Sequence, residues 1–328
     1  MATWPRVGAV VLLLTALLSL IMIAFAWPAT RSSVHDIPLA VAGPPQVVAQ
    51  VTQQLSQQRP GAFDVVRAED TAAGEELIKT RRVYGVIDLS TGRPQLIIAS
   101  AASPAVAQAL QQVALALNPG GTAVAVRDLV PLPADDPRGA GLAAGALPLV
   151  LGGIIAAGLL TNLVAGTARR IAGALTFAVT GGLALVAILQ FWLGSIEGDY
   201  WLNSGVVALS IGATALTILG LEALLGLRGL ALGAAVMMLL GNPLSGLTSA
   251  PEMLPSGWGA FGQYLPPGAA GSLLRSTAFF DGNGATPHLL VLLGWAAFGL
   301  LLTAAATLRA SRITPAEPAT LAAAAPLG

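Results

Sequence analysis

Val7 to Ala26 reads VGAVVLLLTALLSLIMIAFA, a run without one charged side chain. A helix crosses the roughly 30 Å hydrocarbon core in about 20 apolar residues. A helix also satisfies its own backbone where water is absent. The stretch therefore predicts a spanning helix. Ala24-Phe25-Ala26, behind Arg6, also has the form of a signal-peptide cleavage site. The apolar run exceeds the roughly 7–15 residues of such a peptide, which favours a retained anchor.

The same test finds five further spans: Gly141 to Val164, Ile171 to Ile196, Leu202 to Leu225, Gly229 to Leu247 and Leu289 to Leu308. Glu222 in the fourth is the only ionisable residue in the set. Composition agrees: of 328 residues, 55% are hydrophobic and 10% charged, against about 25% charged in a soluble domain. The sixteen basic and sixteen acidic residues cancel, giving no electrostatic reason to expect nucleic acid. Absence of cysteine excludes disulfides, thiolate metal sites and a cysteine nucleophile.

Basic residues orient the spans, since short cytoplasmic loops collect Lys and Arg. Arg6, Arg169-Arg170, Arg228 and Arg309 with Arg312 all fall on one side of a six-span chain. The opposite loop Glu197-Gly198-Asp199-Tyr200 is acidic. Both termini are thus expected in the cytoplasm of a plasma-membrane protein, with residues 28–138 extracytoplasmic. Nineteen of the charged residues lie between Arg31 and Arg138, marking a water-soluble domain.

Within that domain, strand-like and helix-like patterns alternate. Ile37 to Ala42, Ala62 to Arg67, Val83 to Leu89, Gln95 to Ala99 and Ala123 to Val130 read as strands. Helices are expected from Pro45 to Gln58 (Val47, Val48, Val51 and Leu55 inward), from an Asp70 cap to Arg81 (Leu77 and Ile78 inward), and from Ser103-Pro104 to Leu117. Asn118-Pro119-Gly120-Gly121 breaks the last of these. The fold class is an α-helical polytopic membrane protein with six spans, plus a small α/β extracytoplasmic domain between spans one and two. The expected divisions are 1–27, 28–138, 139–312 with an outer hairpin at 242–286, and a disordered cytoplasmic tail at 313–328.

Catalytic chemistry is hard to find. His35 is the only histidine of the soluble domain. Asp135-Asp136 read as solvated linker charge, and Glu75-Glu76 with Lys79, Arg81 and Arg82 read as helix-surface pairing. There is no GxxxxGK[ST]. The chain is expected to be no enzyme and to carry no cofactor or metal.

The stretch from Asn242 to Gly282 is more informative. Asn242-Pro243 should break the fifth helix within its length, because proline removes a donor. Backbone broken at membrane depth must be buried or line a wet cavity. Beyond it come Ser245-Gly246, Pro251, Leu254-Pro255, Leu265-Pro266-Pro267, Arg275 and Phe279-Phe280-Asp281-Gly282. These predict short helices lying in or dipping into the outer interface, anchored by Trp258 and Tyr264. A merely structural hairpin is the competing reading. Glu222 reads either as a coupling contact or as an interfacial anchor. Asn162, Gln190 and Asn203 are candidates for hydrogen bonds between helices. Gly141-x-x-x-Gly145 and Gly229-x-x-x-Gly233 permit close helix approach.

With its N-terminal span, large outer domain, five further spans and the pattern NPxSG…P…LP…LP…R…FF.G, the whole chain resembles the membrane subunits of type-two ABC exporters. Val83-Tyr84-Gly85-Val86-Ile87 resembles a segment of the branch that includes the phage infection protein family. The resemblance implies a homodimer or a heterodimer with a similar subunit, in contact with membrane lipids. It also implies a separate cytoplasmic ATPase that drives export of a lipidic or amphipathic substrate. It places Asn242, Pro243, Gly246, Pro255, Pro266 and Arg275 in an exit gate. Glu222, Arg169, Arg170 and Arg228, on the cytoplasmic side, are the candidate coupling residues. The sequence departs from the family in the six residues ahead of its first span and in its short loop Ala165 to Arg170. The alternative is a membrane-anchored binding or scaffold protein whose outer domain recognises a partner without transport.

Overall fold

The computed structural model describes residues 4–116 and 124–313. The predicted break at 118–121 and the tail from 314 onward lie outside the described residues.

The chain opens with α1 (Trp4–Thr30) and closes with α11 (Ala285–Ile313). Between them stand α5 (Ala140–Leu163), α6 (Thr167–Ala187, continued by a π turn through Trp192) and α7 (Tyr200–Leu225). These five are long and apolar enough to cross a membrane. α7 is the hub: its span is 78% buried, and α5, α6 and α11 pack around it. Small residues permit the contact. A Cβ on Gly299 of α11 would stand 2.5 Å from the Leu216 carbonyl oxygen of α7, so only glycine lets the backbones meet. Gly229 and Gly233 stand tightly against the Leu221 backbone and Ile218, and Gly141 against Ser195, whereas Gly145 meets Leu189 only at ordinary contact distance, so the second small-residue spacing is used in full and the first in part.

The expected fifth span is shorter than predicted. α8 (Leu227–Ala235) runs through a π segment to Gly241, fifteen residues in all, and stops ahead of Asn242-Pro243. That is about 22 Å of helix, short of the hydrocarbon thickness. α6 also begins earlier than predicted, so Arg169 and Arg170 occupy its first turn rather than a loop. α11 begins four residues before the expected Leu289.

The α/β domain is a five-stranded mixed sheet, ordered β2-β1-β3-β4-β5. Its strands are β1 (Ile37–Ala42), β2 (Phe63–Ala68), β3 (Gly85–Asp88), β4 (Gln95–Ile98) and β5 (Ala125–Asp128). Only the β3–β4 pair is antiparallel. The period-two alternation of IPLAVA sends Ile37, Leu39 and Val41 to one face, where α2 (Pro45–Gln58) and α4 (Pro104–Ala116) cover them. Ala40 and Ala42 face α3 (Thr71–Lys79). Val48 and Leu55 are buried as expected, whereas Val47 is 37% exposed.

Phe280 joins the second of these cores, although it follows α10 (Pro266–Phe279) of the membrane region. The short α9 (Trp258–Gly262) precedes α10. The pair forms a hairpin. Trp258 stacks edge-on against Trp27 near the end of α1. The Trp295 indole, about ten residues or 15 Å into α11, donates to the Tyr264 carbonyl (2.7 Å). α10 then rises inside the bundle, buried from Pro266 to Ala278, rather than floating in the interface.

Candidate functional site

The sequence-predicted gate residues surround the broken helix. Gly246 has φ +70°, and a Cβ there would stand 2.7 Å from the Pro251 nitrogen. Asn242 leaves its buried Oδ1 without a partner among the described residues. With Pro243 it lines a cavity of about 390 Å³ walled by residues of α1 and α5. Pro266 opens α10, and the adjacent Pro267 packs on Gly241 at the end of the π segment. Pro255 stands apart, in the turn that leads to α9, where its carbonyl accepts the Trp258 N–H (2.9 Å). Arg275 is buried in α10 at 4% exposure; one terminal nitrogen donates to the Leu247 carbonyl (3.2 Å), and its Nε has no partner among the described residues.

Arg275 faces a second cavity of about 400 Å³ at the seam between the α/β domain and the hairpin. The opposite wall was not legible as a site. Arg81 was read as a helix-surface charge, but α3 ends at Lys79 and Arg81 follows its C-cap with φ +59°. That left-handed position ordinarily takes glycine or asparagine, and a side chain there costs roughly 1–2 kcal/mol. The bend aims the guanidinium at α10, where it donates to the Ser272 carbonyl (2.7 Å) and the Ser276 hydroxyl. It also lies 5.3 Å from the Phe280 ring centroid. Burial pushes Arg81 below the ordinary arginine range, and Tyr84 and Glu252 act in opposition.

Tyr84 donates its hydroxyl to Glu252 (2.7 Å). Burial, then the adjacent carboxylate, push its phenol well above the tyrosine range, so it remains a donor. Ser103 donates to the Ser249 carbonyl (2.6 Å), and the Ser33 N–H to the Met253 carbonyl (2.9 Å). The domain and the hairpin are thus stitched together at four places. Gln263 braces the hairpin itself, donating to the Ser245 carbonyl (2.9 Å) and accepting from Ser272 (2.6 Å).

Two further charge readings are corrected. Asp136 is not solvated: at 8% exposure it accepts from the Ala140 and Gly141 N–H groups (2.8 and 2.7 Å) and caps α5. Burial acts to raise its carboxyl, but these hydrogen bonds hold it below the usual aspartate range. Glu75 pairs with Arg127 of β5 instead of with its own helix.

Of the candidate coupling residues, the structure joins two. Arg170 pairs with Glu222 (3.1 Å) and also donates to the carbonyls of Val164 and Thr161 (2.8 and 2.9 Å). Arg169 and Arg228 are exposed nearby in the chain, in the first turns of α6 and α8. Of the polar membrane residues, Asn203 links helices, accepting from Thr277 of α10 (2.7 Å). Asn162 donates within its own helix, and Gln190 donates to the Gly198 carbonyl. Among the described residues no group of three or more His, Asp or Glu side chains is placed to hold a metal ion. No protein-family model, curated protein or solved structure matches the chain.

Proposed function

We propose that the chain is the membrane subunit of an exporter, moving a lipidic or amphipathic substrate outward under the power of a separate ATPase. The observation that carries this reading is the helix broken at Gly241 and followed by a hairpin buried within the bundle. A protein that only anchors a domain has no need for irregular backbone at depth, which is tolerated where it is buried in protein or lines a wet cavity, and Asn242 and Pro243 line such a cavity. In this reading α8 and the hairpin together make the remaining crossing, giving six. Arg6, Arg169, Arg170, Arg228 and Arg309 then lie in the cytoplasm with both termini, and the α/β domain lies outside. A second copy or a similar subunit completes the path. Arg170 and Glu222 tie the α5–α6 turn to the end of α7 on the side where an ATPase would act.

The test is purification from native membranes under mild detergent. An ATPase should accompany the chain, and the isolated chain should bind no ATP. Tight nucleotide binding by the chain alone, or its recovery without an ATPase, overturns the reading. The second outcome favours the binding or scaffold role, for which the brevity of the turns at Val164–Gly166 and Gly226 speaks.

A further inference from the structure

The seam cavity holds more positive charge than it neutralises. Arg81, Arg82 and Arg275 line it with two carboxylates, Asp36 and Glu252. Asp36 and Arg82 sit at the exposed rim. The inner wall therefore sets two guanidinium groups against Glu252 alone, and Glu252 is engaged by Tyr84. Neither Arg81 nor Arg275 has a carboxylate oxygen within 4 Å among the described residues. Charges taken out of water are ordinarily paired.

The donors are also incompletely used. Arg275 is more than nine-tenths buried, yet its Nε has no partner among the described residues. Arg81 spends one terminal nitrogen on α10, and its other two guanidinium nitrogens meet no acceptor among the described residues. His35 and His288 supply further ring nitrogens to the same wall. A guanidinium fork matches the paired oxygens of phosphate and carboxylate. The left-handed backbone at Arg81 closes α3 in a Schellman turn, with the Arg81 N–H donating to the Ile78 carbonyl and the Arg82 N–H to the Leu77 carbonyl (2.9 Å each), and the same bend sets the guanidinium fork toward α10. The volume, about 400 Å³, falls in the range of small-ligand sites.

We propose that this cavity binds a phosphate-bearing anionic group, held between Arg81 and Arg275. Its position at the membrane end of the domain, beside Val83, Leu254 and Ala260, suits the headgroup of an anionic phospholipid. The inference does not rest on export: a chain that only binds would use the site in the same way.

The test uses the full chain purified in mild detergent. Short-chain phosphatidylglycerol, phosphatidylcholine and inorganic phosphate are titrated separately, with binding read by native mass spectrometry for the lipids and by calorimetry for phosphate. The wild type should hold phosphatidylglycerol in preference to phosphatidylcholine. Arg275→Gln and Arg81→Gly should each weaken that binding by roughly tenfold to a hundredfold, the value of a charge-assisted hydrogen bond. Arg81→Gly is the decisive variant, because glycine relaxes the left-handed backbone while deleting the guanidinium. Arg93→Gln, on an exposed turn of the α/β domain, controls for lost charge and should bind as the wild type does. Phosphate competing with phosphatidylglycerol identifies a free oxyanion site, and phosphatidylglycerol alone binding identifies a lipid site; both support the proposal. No preference between the two lipids together with no phosphate binding overturns it, as does unchanged binding in Arg81→Gly. Recovery of the chain from native membranes without an ATPase, with anion binding intact, would end the export reading and leave this one standing.

Discussion

Phe280→Ala should loosen one seam and leave the rest of the α/β domain folded. The ring is 3% exposed and packs with Ala40, Ala42, Ile78, Val83 and Val86, residues of the domain rather than of the bundle. A buried phenylalanine removes about 150–250 Å² from water, worth about 4–6 kcal/mol at 25 cal/mol per Å². Truncations of this kind cost about 3–5 kcal/mol. Loss of the cation–π contact with the Arg81 guanidinium adds about 1 kcal/mol. A penalty of this size raises the local opening equilibrium by about three to four orders of magnitude. The assay is hydrogen exchange read by mass spectrometry on the detergent-purified chain. Amides of α3 and β3 and of residues 276–284 should exchange faster by that factor. Those of α4, which belongs to the other core, should keep their protection. Phe280→Leu, which keeps most of the volume, should cost under about 1.5 kcal/mol. Unchanged exchange in α3 and β3 would show that the ring is not part of that core. Equal loss in α4 would show that the two faces of the sheet do not open separately. Either result refutes the reasoning.

Glycine substitutions within α11 should separate contact from propensity: Gly299→Ala, facing the Leu216 backbone, should lower stability by about 1–3 kcal/mol in thermal unfolding, whereas Gly294→Ala, with open space around it, should be neutral or slightly stabilising. Glu222→Gln breaks a partly buried pair with Arg170, whose side chains are 16% and 25% exposed, and should cost about 1–3 kcal/mol; adding Arg170→Gln should cost less than the sum of the two changes in a double-mutant cycle. Asp136→Asn tests the α5 cap through pH: the folded carboxyl titrates below its unfolded value, so its contribution is complete above the ordinary aspartate pKa of about 3.9 and is lost as pH falls through the folded value. The melting-temperature gap between wild type and variant, equivalent to about 1 kcal/mol for a helix cap, should therefore hold at neutral pH and shrink below about pH 4.

How much was legible follows from how local each signal is. Asp70, Pro45 and Ser103-Pro104 mark helix starts through atoms a few residues away, and all three helices begin where those residues place them. The alternation of β1 fixes two opposite faces within six residues. The Asn242-Pro243 break was legible for the same reason, since proline acts on the turn before it. Arg81 was not, because its partners Ser272 and Ser276 lie 191 and 195 residues downstream. Tyr84 meets Glu252 across 168. Nothing next to Arg81 distinguishes it from Arg82, a solvated neighbour. Asp136 was misread for a subtler cause. Its cap bonds reach only four and five residues ahead, but the proline-rich surroundings argued for an open linker. The one sign that could have found Arg81 is its place after a helix end with no glycine to turn the chain, so that the left-handed cap of α3 falls on an arginine.

The hairpin constrains function more than either of its halves. At its deep end Pro267 packs on Gly241, the last residue of the broken helix. At its other end Thr277 bonds to Asn203 of α7, and Phe280 sits in the core of the α/β domain. A buried helix of fourteen residues transmits displacement as a rod, since close-packed interiors shift between discrete arrangements rather than deform smoothly. Any motion of α8 at Gly241 must then move α10. Motion of α10 must either carry the α/β domain with it or pull Phe280 and the Arg81 contacts apart. A ligand bridging Arg81 and Arg275 spans both sides of that seam, one guanidinium from the domain and one from the rod. It therefore binds only the closed arrangement with both arms, and by linkage it favours closure by the ratio of its affinities for the two states. Disulfide trapping across the seam, with cysteines placed by substitution in this cysteine-free chain, should raise affinity for the anion if closure is what the ligand selects. Unaltered affinity in the trapped protein would mean that the seam is static, and the hairpin a structural plug.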